Sequence, residues 1–104
     1  MRYGDFTAKD TFNSAASMKL SELEETINVI GLEIDTKPDK DGVAVETATI
    51  KSDANDLYAT ISTSAIQQLY ALGEMLESGK TGLAIQVVHR KSAQGRDYIQ
   101  LQLV

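Results

Sequence analysis

The sequence predicts a mainly β domain with one helix, closed into a five-stranded Greek-key barrel with the element order β-β-β-α-β-β. Five short stretches are β-branched or alternate apolar with polar residues, and one longer stretch has the apolar spacing of a helix. The first of the five stretches also changes its apolar phase beside a glycine, which favours a bent strand. A chain of 104 residues fits one domain with a modest core.

The N-terminal segment shows neither a strand period nor a helix period. We interpret residues 1–17 as an arm that precedes a domain of residues 18–104. The arm contains Tyr3, Phe6 and Phe12 among small and polar residues. Because exposed aromatic side chains are costly, the composition favours an arm that lies over the domain, with contact to a partner as the alternative.

The first strand is predicted within KLSELEETINVIGLEI, and its phase changes between Val29 and Ile30. Apolar residues up to Val29 alternate in one phase, and those from Ile30 to Ile34 alternate in the other. A slip of one residue moves apolar side chains to the opposite face of a strand, so we expect a bend or bulge just before Gly31.

Two further strands precede the helix. The β-branched run from Val43 to Lys51 predicts the second strand, and LYATIS predicts the third. One alternating set of the third strand is apolar and consists of Leu57, Ala59 and Ile61. We therefore expect that set to point into the core and Tyr58 to point outward.

The single helix is predicted from about Ser64 to Ser78, because apolar residues recur there at helical spacing. Ser64 and Gln67 resemble a capping box at its start, and Gly79 is placed to end it. The same spacing predicts a core position for Tyr70.

Two alternating strands close the chain, one around Leu83 to Val88 and the other around Tyr98 to Leu103. HRKSAQGRDY joins them, and Gly95 supplies the positive φ that a tight hairpin turn needs. Tyr98 falls in the outward phase. His89 continues the inward phase of the fourth strand, as a structural residue near the barrel mouth.

This element order is that of the OB-fold, a five-stranded Greek-key barrel with one helix between its third and fourth strands. An open α+β sheet with the helix on one face is the alternative. In the OB-fold, ligands lie across the second and third strands and contact the loops that join strands 1–2 and 4–5. Both of those loops carry cations in this sequence.

Cations and tyrosines near this face predict a site for single-stranded nucleic acid. Outward tyrosines can stack on bases while lysines and arginines bind phosphates. The alternatives are that the cations only solvate the hairpin tips and that each tyrosine covers a neighbouring strand. The predicted nucleic-acid-binding residues are Lys37, Lys40, Lys51, Tyr58, Arg90, Lys91, Arg96 and Tyr98.

The composition excludes several kinds of site. With 15 acidic against 10 basic residues, the net charge of -5 argues against coating duplex DNA through bulk charge. The chain has no cysteine and one histidine, and it lacks paired carboxylate clusters, metal-ligand spacing and a phosphate loop. We therefore expect no catalytic residue, no metal and no cofactor. No apolar run approaches a membrane span or a secretory signal, so we expect a cytoplasmic protein that does not bind membranes.

Three segments carry a resemblance to a known family: KLSEL leading into a strand, D-x-L-Y-A-T-I-S, and G-R-D-Y-I-Q-L in the closing strand. Over roughly residues 19–104 the chain resembles small single-stranded DNA-binding proteins encoded by bacteriophages. The resemblance implies an OB-fold protein without enzymatic activity that protects single strands during phage DNA replication or recombination, in the host cytoplasm. Replication or recombination proteins would be its partners, and the unpaired edges of a small barrel suit a homodimer.

The acidic balance supports a second hypothesis. Acidic residues crowd the segments from Glu22 to Glu25 and from Glu33 to Asp41. A small acidic phage protein of this kind could mimic nucleic acid and thereby bind or inhibit a host protein.

Overall fold

A computed structural model describes all 104 residues as a mainly β protein with seven strands and two α-helices. The predicted counts of five strands and one helix are wrong. Two strands of three and two residues precede the five longer strands, and a helix of six residues lies in the arm; all three are too short to leave a clear periodic pattern. The elements are β1 (Arg2–Gly4), α1 (Ala8–Asn13), β2 (Met18–Lys19), β3 (Ile27–Pro38), β4 (Ala44–Ser52), β5 (Leu57–Thr60), α2 (Thr63–Glu77), β6 (Ala84–Lys91) and β7 (Asp97–Leu103), with single 3-10 turns at Ser14–Ala16 and Leu20–Glu22.

All seven strands belong to one curled mixed sheet, which has the form of a half-barrel. The strand order is β2-β5-β4-β3-β6-β7. The edge of β3 that faces away from β4 pairs with β6 near Ile27 and with β1 farther along, near Leu32. The β2–β5 pair is parallel and all other pairs are antiparallel. No strand pairing joins β5 to β7, so the sheet stays open along that side and the predicted closure of the barrel is wrong.

The bend in β3 lies where the sequence predicts it. Val29 is opposite Ser52 and Gly31 is opposite Lys51, so Ile30 is an extra residue without a partner in β4. This bulge turns the strand and corrects the one-residue slip between its two halves. Apolar side chains from both halves therefore enter one core, and they are Ile27, Val29, Leu32 and Ile34.

Helix α2 packs its apolar side against the core and its polar side against β7. The Ser62 hydroxyl caps the helix by accepting a hydrogen bond from the Ala65 N–H, so the predicted cap at Ser64 is wrong by two residues. The Ser64 hydroxyl instead donates to the Ile99 carbonyl at 2.9 Å. The Gln68 side chain both donates to and accepts from the Leu101 backbone at 2.7 Å. These side chains satisfy the outer edge of β7, which has no neighbouring strand.

Tyr70 lies at the edge of α2 rather than in the core that its spacing predicts. Its ring is 37% exposed, and its hydroxyl donates to the carboxylate of Glu46 on β4. That hydrogen bond raises the pKa of the phenol, with partial burial as the next cause. Helical spacing places Tyr70 on the apolar stripe but does not reveal that it lies at the edge of the stripe. At that edge a phenol hydroxyl can reach solvent or a hydrogen-bond partner.

The arm, residues 1–17, lies over the domain, as its aromatic residues predict. Strand β1 pairs with Gly31, Leu32 and Glu33 of β3, and Phe6 is buried. A Cβ atom at Gly73 of α2 would come within 2.7 Å of the Tyr3 ring, so only glycine lets that ring pack on the helix.

Candidate nucleic-acid interface

Strands β3, β4 and β5 have two faces with different surroundings. Ala48, Ile50 and Tyr58 point to the inner face and belong to the core. Because successive side chains alternate, Thr47, Thr49, Lys51 and Ala59 point to the other side, which we call the outer face. The outer face is where the sequence predicts a ligand.

Tyr58 points inward, so the prediction of an outward stacking ring at this position is wrong. It lies directly opposite Ile50 in the β4–β5 ladder, and directly opposed residues share a face. Its ring is 6% exposed. Burial raises the pKa of its phenol, and the charges of Asp56 and Glu25 raise it further. The predicted phase fails because β5 ends at Thr60, which leaves Ile61 outside the strand and 66% exposed.

Lys51, a predicted nucleic-acid-binding residue, points to the outer face, but in the folded chain it is covered and already paired. The residue is 8% exposed. Its Nζ lies 3.0 Å from the Asp10 carboxylate and 3.9 Å from that of Asp5, both in the arm. The arm therefore neutralises this lysine in the folded protein.

An open cavity of about 950 Å³, which we call the groove, occupies the uncovered part of the outer face. It follows the side of the sheet where β5 and β7 do not pair. Its walls include Thr47 of β4, Ala59 of β5 and Tyr98 of β7. Ile61 and Ile99 add apolar area, and Lys19 and Asp97 add one charge of each sign.

The chemistry of the groove suits a ligand that is both planar and anionic. Most of the groove's accessible surface is apolar, and hydroxyl groups come from Ser21, Thr60 and the run Ser62 to Ser64 at the start of α2. Ser64 already donates to the Ile99 carbonyl, and Ser62 caps the helix. Hydroxyls and backbone N–H groups are common donors to phosphate oxygens, whereas rings and aliphatic side chains contact bases. Asp97 is the only carboxylate in the lining.

The β6–β7 hairpin places an arginine beside the tyrosine at the rim of the groove. Arg90 lies directly opposite Tyr98, and its Nε donates to Gln100 Oε1 at 3.1 Å. Tyr98 is 39% exposed on the side away from the core, as predicted. Arg96 is exposed in the turn, where its carbonyl accepts a hydrogen bond from the Ser92 N–H. Arg90 and Tyr98 therefore form an exposed pair, and Arg96 lies in the adjoining turn, two residues before Tyr98.

Lys91 and His89 point to the other side of the same hairpin. Lys91 lies opposite Asp97, and His89 lies opposite the buried Ile99. His89 shares the phase of the inward residues, as the alternation predicts, but it is exposed because this end of β6 extends past the core. Only part of HRKSAQGRDY is a loop, since both of its ends are strand residues.

The second predicted loop, between β3 and β4, contributes less positive charge. Lys37 and Lys40 are exposed, but Asp35, Asp39 and Asp41 lie among them. The Asp39 carboxylate accepts from the N–H groups of Asp41 and Val43 at 2.8 and 2.9 Å, so it shapes the turn. This carboxylate keeps the turn acidic.

The two hairpins contribute strand residues to the groove rather than residues of their turns. Strand β6 runs antiparallel to the start of β3, so the β6–β7 turn lies beyond Ile27. The β3–β4 turn lies beyond Pro38, at the other end of β3, so the two turns point in opposite directions. The curl of the sheet still brings Thr47 of one hairpin and Tyr98 of the other into the same groove. Lys37 and Lys40 are not part of its lining.

Residues 78–104, which include β6 and β7, are basic, whereas the rest of the chain is acidic. Residues 1–77 hold six Lys and Arg against fourteen Asp and Glu, a net charge of -8. Residues 78–104 hold four against one, a net charge of +3. Positive potential is therefore concentrated on the segment that carries Arg90 and Tyr98.

Sequence reasoning misses Lys19, Ile61 and Ser64, which the structure brings to the groove. Lys19 arrives through the two-residue parallel pairing of β2 with β5, and so short a strand has no sequence signal. The hydroxyl-rich run STS at residues 62–64, around the start of α2, could have indicated the third residue, because helix N-termini attract anions.

Comparison with protein-family models, with curated proteins and with solved structures gave no match. Neither helix has the length and apolar character that crossing a bilayer requires.

Proposed function

We propose that the protein binds single-stranded DNA without sequence preference, through the groove and the outward side of the β6–β7 hairpin. The observation that carries this proposal is the exposed pair of Arg90 and Tyr98 at the rim of a hydroxyl-lined groove. Stacking on a tyrosine is tolerant of sequence because every base has a π-face, and an adjacent arginine can bind the phosphate.

We also propose that the half-barrel is an OB-fold. The longer strands follow the order β5-β4-β3-β6-β7, and α2 connects the third and fourth of them in chain order. This connectivity supports the proposal, as does the bulge that coils β3. In OB-folds the corresponding outer face binds oligonucleotides, and Thr47 and Ala59 of the groove lie on that face.

Single strands fit the charge of this protein better than duplex DNA does. A duplex binder needs many phosphate contacts, whereas the exposed cations on this side are Lys19 in the groove lining and Arg90 opposite Tyr98, with Arg96 in the adjoining turn. About three contacts give a slope of roughly -2 in log affinity against log salt for a single strand. Such a protein would have no enzymatic activity and would serve phage DNA replication or recombination in the host cytoplasm, as a monomer or homodimer.

Titration of a fluorescent oligo-dT at low and high salt tests the proposal, with Tyr98→Ala as the decisive variant. Losing one stacked base contact of about 1–3 kcal/mol weakens binding by about 5- to 150-fold. Tyr70→Ala is the matched control, because Tyr70 is 37% exposed against 39% for Tyr98 but lies outside the groove. Absence of wild-type binding at low salt and micromolar protein would refute the proposal, as would equal losses in the two variants.

The charge of residues 1–77 supports a second candidate, an acidic module that binds a host protein. Glu22, Glu24 and Glu25 are all exposed and form one side of a shallow cavity beside Lys19. A carboxylate-rich surface of this kind complements a basic partner. Recovery of one stoichiometric host protein from nuclease-treated bacterial lysate would support this candidate, and loss of that protein on nuclease treatment would contradict it.

A further inference from the structure

The arm is attached to the sheet through charges. All three salt bridges of the protein join it to β3 or β4: Arg2 to Glu33 at 3.0 Å, and Lys51 to Asp10 and to Asp5. The only charged residues that are buried are Asp10, Glu33 and Lys51, and all of them lie in this contact. The protein therefore places its buried charge where the arm meets the outer face.

Helix α1 within the arm packs a polar side against the sheet, whereas an ordinary surface helix packs its apolar side inward. Its only buried residue is Asp10, whereas Phe12 is 84% exposed. The Thr11 hydroxyl donates to the Glu33 carboxylate at 2.9 Å, so polar groups make the contact with the sheet. A surface helix normally buries its apolar stripe. A buried ion pair is weak evidence for stability, and its best-attested uses are in fixing register and in switching.

This helix covers the continuation of the groove. Along β4, Thr47 lines the groove, and Thr49 and Lys51 follow on the same face at steps of about 7 Å. Both are only 8% exposed, although they point away from the core. The Asp10 carboxylate contacts Lys51 at 3.0 Å, as a phosphate oxygen would.

We propose that residues 7–17, the cover segment, are displaced by single-stranded DNA, whose phosphate takes the place of the Asp10 carboxylate on Lys51. This inference rests on the proposed function and extends its site beneath the arm. Residues 1–6 stay in place, because β1 is paired with β3, the Tyr3 ring packs on Gly73, and Phe6 is buried. When the cover segment leaves, Glu33 keeps its salt bridge to Arg2.

Two measurements on the full chain test the cover segment. The first is the protection of backbone amides 8–17 from hydrogen exchange in the wild type, with and without oligo-dT; protection falls when the oligonucleotide binds. The second is oligo-dT affinity. If the cover segment lowers affinity by occupying the site, Asp10→Asn tightens binding by about three- to tenfold.

Two further variants separate release of the cover segment from gain of the phosphate contact. Lys51→Gln also breaks the ion pair, so it loosens the cover segment, but it provides no cation and does not tighten binding. Glu77→Gln removes one carboxylate from an exposed position on α2 and leaves affinity at the wild-type value.

The outcomes distinguish failure of this inference from failure of the proposed function. Wild-type binding with unchanged protection of amides 8–17, or with equal affinity for the wild type and Asp10→Asn, overturns the inference and leaves the function standing. Binding by neither protein overturns both. Binding by Asp10→Asn alone also overturns both, because DNA must bind the wild type in order to displace its cover segment.

Discussion

The two helices pack against the same sheet in opposite ways. α2 buries Ala65, Ile66, Leu69 and Leu72 in the core, whereas α1 buries a single aspartate against the outer face. Apolar area is stabilising only while it stays out of water, whereas a buried lysine needs an anion beside it, which another anion can replace. The contrast indicates that α2 holds the fold together while α1 is a contact that a charged ligand can replace.

The largest expected effect is on the α2 side of this comparison. Leu69 is fully buried, so Leu69→Ala removes apolar contacts and leaves a cavity, which lowers the free energy of unfolding by about 2–5 kcal/mol. Urea denaturation measures the loss, and Gln67→Ala, at an exposed position of the same helix, serves as the control. A loss below 1 kcal/mol would mean that α2 is not the anchor that its burial indicates.

A smaller effect is expected where the arm crosses β3. A Cβ atom at Gly31 would lie 2.4 Å from the Asp5 carbonyl oxygen and 3.0 Å from the Phe6 nitrogen, and backbone atoms cannot rotate away. Gly31→Ala therefore pushes the arm off the sheet at a cost of about 1–3 kcal/mol. Hydrogen exchange should show amides 8–17 losing protection while those of β6 and β7 keep theirs. Equal loss in both regions would show that the arm and the core open together.

Acid should release the arm before it disturbs the core. Burial alone would raise the pKa of Asp10, but hydrogen bonds from Thr7 and from Lys51 outweigh it and place the pKa below the ordinary 3.8. The ionised form is therefore the docked form. Its contribution is fully present above a pH of about 4 and is lost as the pH falls through the lower folded value.

Amide chemical shifts of residues 8–17, followed by NMR from pH 7 downward, measure this release. They should stay constant to about pH 4 and then move, whereas in Asp10→Asn the contribution of this carboxylate is missing at every pH. The groups that face Asp10 are Thr7 and Lys51, with Asp5 on the far side of the lysine. A transition centred well above pH 4 would assign the release to some other group.

The sequence predicts those features of the fold that local spacing controls. The change of phase at Ile30 predicts the bulge, because apolar residues on both sides of it must reach one core. The glycine turn at Gly95 predicts the β6–β7 hairpin, and an antiparallel register about that turn then places Arg90 opposite Tyr98. The most exposed part of the candidate site was therefore accessible without a structure.

Features set by distant partners were not accessible in this way. Lys51 is buried because Asp10, 41 residues earlier, reaches it from a segment that has no apolar period. Tyr58 points inward because Ile50 sets its face across the ladder, while four strand residues give too little alternation to fix a phase. Each error comes from a pairing between segments rather than from a misjudged residue preference.

The smallest expected effect tests whether the outward side of α1 has any partner within the chain. Phe12 is 84% exposed and Phe6 is 6% exposed, so the same substitution at the two positions compares an unpacked ring with a packed one in one arm. Phe12→Ser should change the free energy of unfolding by no more than about 0.5 kcal/mol, while Phe6→Ser costs several times that amount. A loss above 1 kcal/mol for Phe12→Ser would place apolar packing on the side of α1 that faces solvent. The polar contact through Asp10 would then no longer distinguish α1 from α2, and the case for a displaceable helix would lose its physical basis.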